Sequence, residues 1–334
     1  MNRDTSVPTY HQLLERTDAP AGSSWNLFGA EDELGTLNFL TPEKRRQAAT
    51  LVQRGASFSL DLPLDAFEKP LIPHRGLLQH SVFGLNEHHR DDRIDNLFPQ
   101  ATSQIDGLRH FGHPDFGFYN GMDPQKLIAG DPTLGVQRYA EYGISGRGVL
   151  LDIGAYLEKT GDPLDYSYNR ALPVSVLDKV AEHQDVQLEA GDILLLRFGW
   201  VGDYLKRQEA GLLKDGEPLL SVGFEANQET AAWFWDHQIA MAAADNVALE
   251  AWPPNNSAIT TKAEETGELA LSSHTGMLHR LLIPMLGLAI GELWNLDALA
   301  ADCHADHRYE VMVVANPLRL PGGVGSTANA VALK

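Results

Sequence analysis

Residues 191–197 read GDILLLR, a Gly-Asp turn followed by an apolar run. A short apolar run that begins at turn residues is typical of a strand buried on both faces of a sheet. Residues 149–153 and 239–244 have the same character, and residues 309–315 are predicted to form a final strand. The sequence therefore contains several buried strands spread along its length.

Helical patterns lie between these strands. Residues 173–182 and 227–238 are predicted helices, and the second is amphipathic with two tryptophans available for packing. A further helix is predicted from Pro42 to Val52, because Thr41 is a suitable N-cap and proline suits the first turn. Strands that alternate with helices predict an α/β fold with a mixed central sheet.

The organisation of the chain is predicted from composition and patterning. No composition shift marks a boundary, so we expect residues 1–24 to be an N-terminal extension and residues 25–334 to form a single domain, in preference to two. Residues 70–95 are rich in proline, histidine and charge. They are predicted to be a loop insertion, which could be an ordinary loop, a lid or an interface arm.

Charge and cysteine content limit the classes of function. The sequence has 26 Lys and Arg against 45 Asp and Glu, a net charge of −19. Such a surface repels phosphate groups and anionic lipids, so nucleic-acid and membrane partners are not expected. A small-molecule substrate is expected instead. No run reaches the ~18 apolar residues of a membrane span and residues 1–20 lack a secretory signal, so a cytoplasmic location is expected. Cys303 is the single cysteine, which leaves His, Asp, Glu or neutral oxygen as possible metal ligands.

The strongest local pattern is DGLRHFGH at residues 106–113. Asp106, His110 and His113 stand at i, i+4 and i+7, so a helix would place them on one face, and a tight turn could also bring them together. Gln104 could add an amide oxygen. Imidazole and carboxylate groups suit Zn²⁺, Mn²⁺ or Fe²⁺. The alternative is a solvated face on which His110 merely caps or packs.

A second pair of ionisable groups flanks an apolar run. His279 and Glu292 are 13 residues apart, and a continuous helix would not put both on one face. Gly287 offers a break, so a helix ending near Leu286 could be followed by an extended segment. Burial of both groups is costly unless each finds a partner or a metal. The alternative is a histidine at a helix end and a glutamate on the surface.

Other local patterns favour structural roles. Asp302, His304 and His307 lie in a polar segment and are predicted to form a solvated loop, as are residues 88–93. Residues 321–326 are rich in glycine and are predicted to line a pocket, because no helix pattern follows them. The sequence has no Gly-x-Ser-x-Gly motif, no phosphate-binding loop and no dinucleotide-binding fingerprint.

Taken together, these motifs resemble the cyclase family of metal-dependent hydrolases, which includes bacterial kynurenine formamidase and isatin hydrolase. The resemblance runs from about Trp25 to Ala330. Its most specific segments are GTLN at 35–38, TPE at 41–43, residues 106–113, residues 191–200, ADN at 244–246, residues 279–293 and residues 321–326.

The resemblance implies a swivelling β/β/α fold, a divalent metal (Zn or Mn, one or two ions) and a homo-oligomer, either a dimer or a tetramer. The family's metal motif, His-x-Gly-Thr-His-x-Asp-x-Pro, is missing from this chain. An alignment from Gln104 puts Gln104, Leu108 and His110 at its three ligand positions. An alignment from Asp106 puts Asp106 and His110 at the first two, with His113 near the third. In either case His279 and Glu292 match the family's C-terminal ligand pair.

The implied activity is hydrolysis of an amide, lactam or lactone bond in a small cyclic or N-acyl substrate by a metal-activated water. His113 would be the general base and acid. Asp245 could orient a histidine, and His274 is a reserve ligand or substrate contact. The aromatic residues that could line the pocket, unless they only pack in the core, are Trp25, Phe111, Phe116 and Tyr119. Alternative functions are a metal-dependent lyase, cyclase or isomerase, and a non-catalytic binding protein.

Overall fold

The predicted strands form the centre of a mixed sheet in the computed structural model, which describes residues 6–254, 259–272 and 274–334. The strands are β1 Ser57–Ser59, β2 Gln79–Asn86, β3 His89–Asp95, β4 Gln104–Asp106, β5 Ile144–Asp152, β6 Ala171–Leu172, β7 Ile193–Arg197, β8 Gly223–Phe224, β9 Met241–Ala244, β10 Ala289–Glu292, β11 Glu310–Ala315, β12 Gly325–Thr327 and β13 Ala330–Leu333.

Within the described residues, the main sheet has nine strands in the order β1-β13-β11-β5-β7-β9-β10-β4-β12. Strands β5, β7, β9 and β10 run parallel, and the strands on both sides of them pair antiparallel. All residues of β9 and Ile193–Leu196 of β7 are buried. This burial explains their unbroken apolar sequence and confirms the predicted α/β class with a mixed central sheet.

The helices are α1 Tyr10–Leu14, α2 Pro42–Ala49, α3 Gln137–Tyr142, α4 Ile153–Lys159, α5 Val176–His183, α6 Trp200–Glu209, α7 Gln228–Asp236, α8 Lys262–Thr266, α9 His279–Leu282 and α10 Asp297–Asp306. Thr41 caps α2 by accepting from the Lys44 N–H, and Asn227 caps α7 through the Thr230 N–H. Helices α2, α5 and α7 match the predicted segments 42–52, 173–182 and 227–238 to within a few residues. None of the helices in the described part of the chain has the length and apolar character needed to span a bilayer.

Two segments that were predicted as loops are regular structure. Residues 79–95 contain the hairpin of β2 and β3 within the expected loop insertion. Residues 297–306 form α10, where Lys334 Nζ binds Asp302 at 2.8 Å and Asp306 at 2.7 Å. The prediction of a solvated loop was wrong there because a distant lysine neutralises these acidic residues.

The connection between α9 and β10 depends on Gly287. Its φ of +71° favours glycine, and an added Cβ would lie 2.6 Å from the Tyr119 ring and 2.8 Å from Gly35 Cα. The chain therefore turns sharply here, and the predicted break between His279 and Glu292 is confirmed.

Candidate metal centre

Strand β4 brings two polar side chains to the same face of the sheet. Gln104 pairs with Glu292 and Asp106 pairs with Ile290 of the antiparallel neighbour β10. Side chains two residues apart share a face, so Gln104, Asp106 and Glu292 lie together. The Gln104 amide Nε2 donates to the Glu292 carboxylate. Gln104, the first ligand position of one alignment, and Asp106, the first ligand position of the other, therefore lie beside the same glutamate.

His279 completes this cluster from the start of α9. Its Nε2 lies 3.0 Å from Glu292 Oε1 and 4.0 Å from Asp106 Oδ2. One ligand atom from each of Asp106, His279 and Glu292 lies within 4.8 Å of the other two, and all three residues are buried. We call these three residues the donor cluster.

Several buried oxygens in and beside the donor cluster lack hydrogen-bond partners. Neither carboxylate oxygen of Asp106 has a hydrogen-bond partner among the residues that the structure describes, and the same holds for Gln104 Oε1. Burial raises the pKa of Asp106 and the Glu292 carboxylate adds to that rise, against the opposing effects of His110 and His279. Buried polar atoms are normally paired, so these oxygens indicate a site suited to a cation. Two carboxylates, an imidazole and an amide oxygen fit a divalent metal ion.

His110 lies beside the donor cluster on the turn that follows β4. Its ring Nε2 is 3.8 Å from Asp106 Oδ2, and its backbone N–H donates to the carbonyl of Gly107. Residues 107–113 form no helix, and a turn at residues 108–110 brings His110, but not His113, beside Asp106. Burial lowers the pKa of His110, which keeps its imidazole neutral and able to bind a metal.

Glu250 holds His279 in place, and sequence analysis missed it. His279 Nδ1 lies 3.0 Å from both Glu250 carboxylate oxygens, and the Leu278 N–H donates to Glu250 Oε1 at 2.9 Å. This contact leaves His279 Nε2 facing Asp106 and Glu292. Burial alone would lower the pKa of His279, but the Glu250 and Glu292 carboxylates raise it well above its usual value. The signal that could have found Glu250 is a single acid within the apolar run 247–252.

Asp245 does not orient a histidine, contrary to prediction. Its oxygens accept the N–H groups of Phe198 at 2.7 Å and Gly199 at 2.8 Å. Burial raises the pKa of Asp245 to about 7, against the opposing effects of Arg197 and these two amides. Asp245 therefore fixes the turn between β7 and α6.

His113 lies on the turn beyond His110. Its Nδ1 accepts the Asp115 N–H at 3.1 Å, and its ring stacks on Phe116 at 4.7 Å between centroids. Burial lowers the pKa of His113. It is not among the three residues of the donor cluster, and its role as general base stays a prediction.

The predicted pocket aromatics separate into three groups. Phe111 packs against the rings of His279 at 5.4 Å and His274 at 5.2 Å, so it lies against the donor cluster. Tyr119 is fully buried and donates to Asp32 Oδ2, and the Trp25 indole donates to the Pro284 carbonyl. Core packing, the alternative interpretation, accounts for the contacts of these last two residues. The exposed Phe116 contacts His113.

Glu264 is a carboxylate whose oxygens are paired. It binds Arg280, the residue that follows His279 in the sequence. The Arg280 guanidinium makes two 2.7 Å hydrogen bonds to the two oxygens of Glu264 at the start of α8. Thr275 Oγ1 also donates to this carboxylate, and these contacts lower the pKa of Glu264 to about 2. This pair ties α8 and α9 together beside the donor cluster.

The glycine-rich segment 321–326 supports β4 from its other side. Gly325 of β12 pairs with Asp106, and the Gly107 N–H donates to the Val324 carbonyl at 3.0 Å. The segment therefore holds the Asp106 backbone in place through main-chain contacts.

Comparisons with known proteins agree with this architecture. A family model described as "Putative cyclase" matches residues 58–251. A crystal structure of a novel cyclase is 30% identical, with a TM-score of 0.75, and the alignment covers 93% of this chain and 99% of that chain. No match was found among curated proteins.

More distant solved structures share the fold. Isatin hydrolase A from Labrenzia aggregata, bound to benzyl benzoate, is 16% identical with a TM-score of 0.55, covering 85% of this chain and 94% of that chain. Isatin hydrolase A from Ralstonia solanacearum is 14% identical with a TM-score of 0.54, covering 84% and 92%. The extent of the family-model match and the 30% identity over nearly the full length show that this chain belongs to the cyclase family.

Proposed function

We propose that this protein is a metal-dependent hydrolase that cleaves an amide, lactam or lactone bond in a small cyclic or N-acyl substrate. The observation that carries the proposal is the buried donor cluster, in which Asp106 has two unpartnered oxygens. Membership of the cyclase family supports it, as does the fold shared with two isatin hydrolases.

Asp106, His279 and Glu292 would hold the ion, with His110 and Gln104 close enough to add donors. When bound by these residues, a divalent ion would supply Lewis acidity that lowers the pKa of a water molecule and polarises a carbonyl group. Glu250 keeps His279 Nε2 directed at the site by binding Nδ1. Zn²⁺ and Mn²⁺ are the ions that we expect from this donor set.

His113 is the proposed general base and acid. Its lowered pKa leaves the imidazole neutral at neutral pH, and a neutral imidazole can accept a proton from water and later return it to the leaving group. Phe111 and His274 offer an aromatic wall, which favours a flat, aromatic substrate.

The test is a panel of N-formyl aryl amines, lactams and lactones in ¹⁸O-labelled water, after loading with Zn²⁺ or Mn²⁺. We expect turnover with ¹⁸O in the acid product, loss of turnover in His279→Ala, and retained turnover in His304→Ala. His304 is the matched control because it binds Asp152, outside the donor cluster.

Turnover without ¹⁸O incorporation would replace hydrolysis by a lyase or isomerase reaction. Metal binding without turnover of any of these compounds would favour a binding protein. Turnover that survives in His279→Ala would remove the donor cluster from the reaction.

A further inference from the structure

Gln100 is a buried glutamine whose side-chain amide has an unpaired donor group. It lies in the 3₁₀ turn Pro99–Ala101, just before β4, and is 9% exposed. Within the residues that the structure describes, its Nε2 has no hydrogen-bond partner. The similarly buried Gln184 differs, because its Oε1 accepts the Asp152 N–H at 2.8 Å and its Nε2 donates to the Leu150 carbonyl at 2.6 Å. Buried donors are normally paired, so the Gln100 amide indicates an acceptor close by.

The two carboxylate oxygens of Asp106 face different neighbours. Oδ2 lies 3.8 Å from His110 Nε2 and 4.0 Å from His279 Nε2, on the side of the donor cluster. Oδ1 lies against β12, 3.3 Å from the position that a Cβ at Gly325 would occupy. A metal ion held together with His279 would therefore bind Oδ2, and Oδ1 would remain available to a hydrogen-bond donor.

Gly325 leaves open a small space that the Gln100 amide and Asp106 both border. An added Cβ would lie 2.5 Å from Gln100 Nε2 and 3.3 Å from Asp106 Oδ1, so an unpartnered donor and an unpartnered acceptor flank the same point. The backbone of Gly325 does not itself require glycine, because its φ is not in the positive region. A larger residue would instead interfere with the approach of these two side chains to each other.

The backbone around Gln100 is held by hydrogen bonds. Arg75 Nη1 donates to the Gln100 carbonyl at 2.5 Å, and the Ala101 N–H donates to the Phe98 carbonyl at 2.9 Å. A change of side-chain rotamer, without movement of the main chain, can bring Nε2 towards Asp106 Oδ1 across the space beside Gly325. The amide is therefore placed to reach the unpaired oxygen of Asp106.

We propose that Gln100 is a positioning residue for the metal centre: its Nε2 donates to Asp106 Oδ1 and thereby directs Oδ2 at the ion. The inference rests on the metal-dependent function proposed above. Carboxylates that bind a metal are commonly hydrogen-bonded in turn, and that bond fixes their orientation. A neutral amide does this without cancelling the negative charge that attracts a divalent ion, whereas a lysine or an arginine would oppose that attraction.

The test compares metal affinity with the stability of the metal-free protein in wild type, Gln100→Met and Gln184→Met. Isothermal titration with Zn²⁺ or Mn²⁺ measures the affinity, and urea unfolding measures the stability. We expect Gln100→Met to bind metal about 10–100-fold more weakly. Its urea midpoint should stay at the wild-type value, because removal of an unpaired amide costs the fold no hydrogen bond. Gln184→Met should show the reverse, a lower midpoint with unchanged affinity, because it loses its bonds to the backbone.

Unchanged metal affinity in Gln100→Met would overturn this inference and leave the proposed hydrolase standing, whereas a wild type that binds neither ion would overturn both. Equal losses of affinity in the two methionine variants, or a lower urea midpoint of Gln100→Met, would also overturn it, because Gln100 would then support the fold alone. If Gln100→Met fails to fold, Gly325→Ala replaces it, since the added methyl group would displace the amide from Asp106 Oδ1. Its affinity should fall by a similar factor, and wild-type affinity there would contradict the assignment.

Discussion

Asp106 and Asp245 are both 1% exposed, and burial raises the pKa of each, yet they serve different purposes. Asp245 accepts two backbone N–H groups and lies in the field of Arg197, so its charge is compensated by the fold. Asp106 has no hydrogen-bond partner within the described residues and faces a second carboxylate, Glu292.

The difference shows which observation identifies a functional site. Burial and a raised pKa are common to both carboxylates, and a structural role accounts for them fully at Asp245. Only the missing partners of Asp106 call for a ligand, because an uncompensated buried carboxylate is destabilising. A cation bound at Asp106, as proposed, would offset this cost.

Among the substitutions that test the difference between Asp106 and Asp245, Asp106→Asn is expected to have the largest effect. Loss of a charged ligand should weaken Zn²⁺ or Mn²⁺ binding about a thousandfold or more, exceeding the roughly 10–100-fold typical of residues that only support a ligand. Without metal, this variant should be as stable as wild type or more stable, since a neutral amide replaces an uncompensated charge. Isothermal titration and urea unfolding measure the two quantities, and unchanged metal affinity would contradict the assignment of Asp106.

The second effect concerns the support of His279. Removing Glu250 in Glu250→Ala frees Nδ1 and should weaken metal binding by about 10–100-fold. Glu250→Gln keeps an oxygen that can accept from Nδ1, so it should lose less. Metal titration of the two variants beside Asp245→Asn provides the comparison, and equal affinity in wild type and Glu250→Ala would show that His279 is held by other contacts.

A smaller effect is expected at Asp245. Asp245→Asn leaves only one oxygen for the two N–H groups of Phe198 and Gly199, so the free energy of unfolding should fall by about 2 kcal/mol. Metal affinity should not change. Chemical denaturation of the metal-free proteins tests the first statement, and Asp245 would join the metal site if its substitution weakened metal binding as strongly as Asp106→Asn.

The last effect is a pH dependence at the paired carboxylate Glu264. Its folded pKa of about 2 lies below its usual value of 4.5, so the stability it contributes is present above pH 4.5 and is lost as the pH falls toward 2. Between pH 4.5 and 2, the free energy of unfolding of Glu264→Gln should fall less steeply than that of wild type. The difference between the two slopes is at most about 1.4 kcal/mol per pH unit. Glu265→Gln is the control, because this exposed neighbour lies on the same helix, and equal slopes in both variants would contradict the account.

Sequence patterns predicted the elements in which local character and burial agree. Residues 193–196 are apolar and lie in a central strand, and the glycine break between His279 and Glu292 exists because close packing at Gly287 excludes a side chain. The donor cluster was partly predictable for the same reason: ionisable groups beside apolar runs stand out.

The failures of prediction share one physical cause, which is a partner that is distant in sequence. Glu250 meets His279 29 positions away, and Lys334 neutralises Asp302 and Asp306 of α10, so neither contact is visible in a local pattern. The hairpin was predicted as a loop because the charged sequence of β3 is atypical of strands. His80 of β2 lies 2.9 Å from Asp92 of β3, a contact across the hairpin that the sequence of β3 alone does not reveal.

The most direct test of the metal centre is the metal content of purified protein by plasma mass spectrometry. Wild type, His279→Ala and His304→Ala would be reconstituted with Zn²⁺ or Mn²⁺ and then desalted. Wild type and His304→Ala should each retain a stoichiometric metal ion, and His279→Ala should lose it. Wild type that binds no metal after reconstitution, or His279→Ala that retains the full amount, would contradict the central claim.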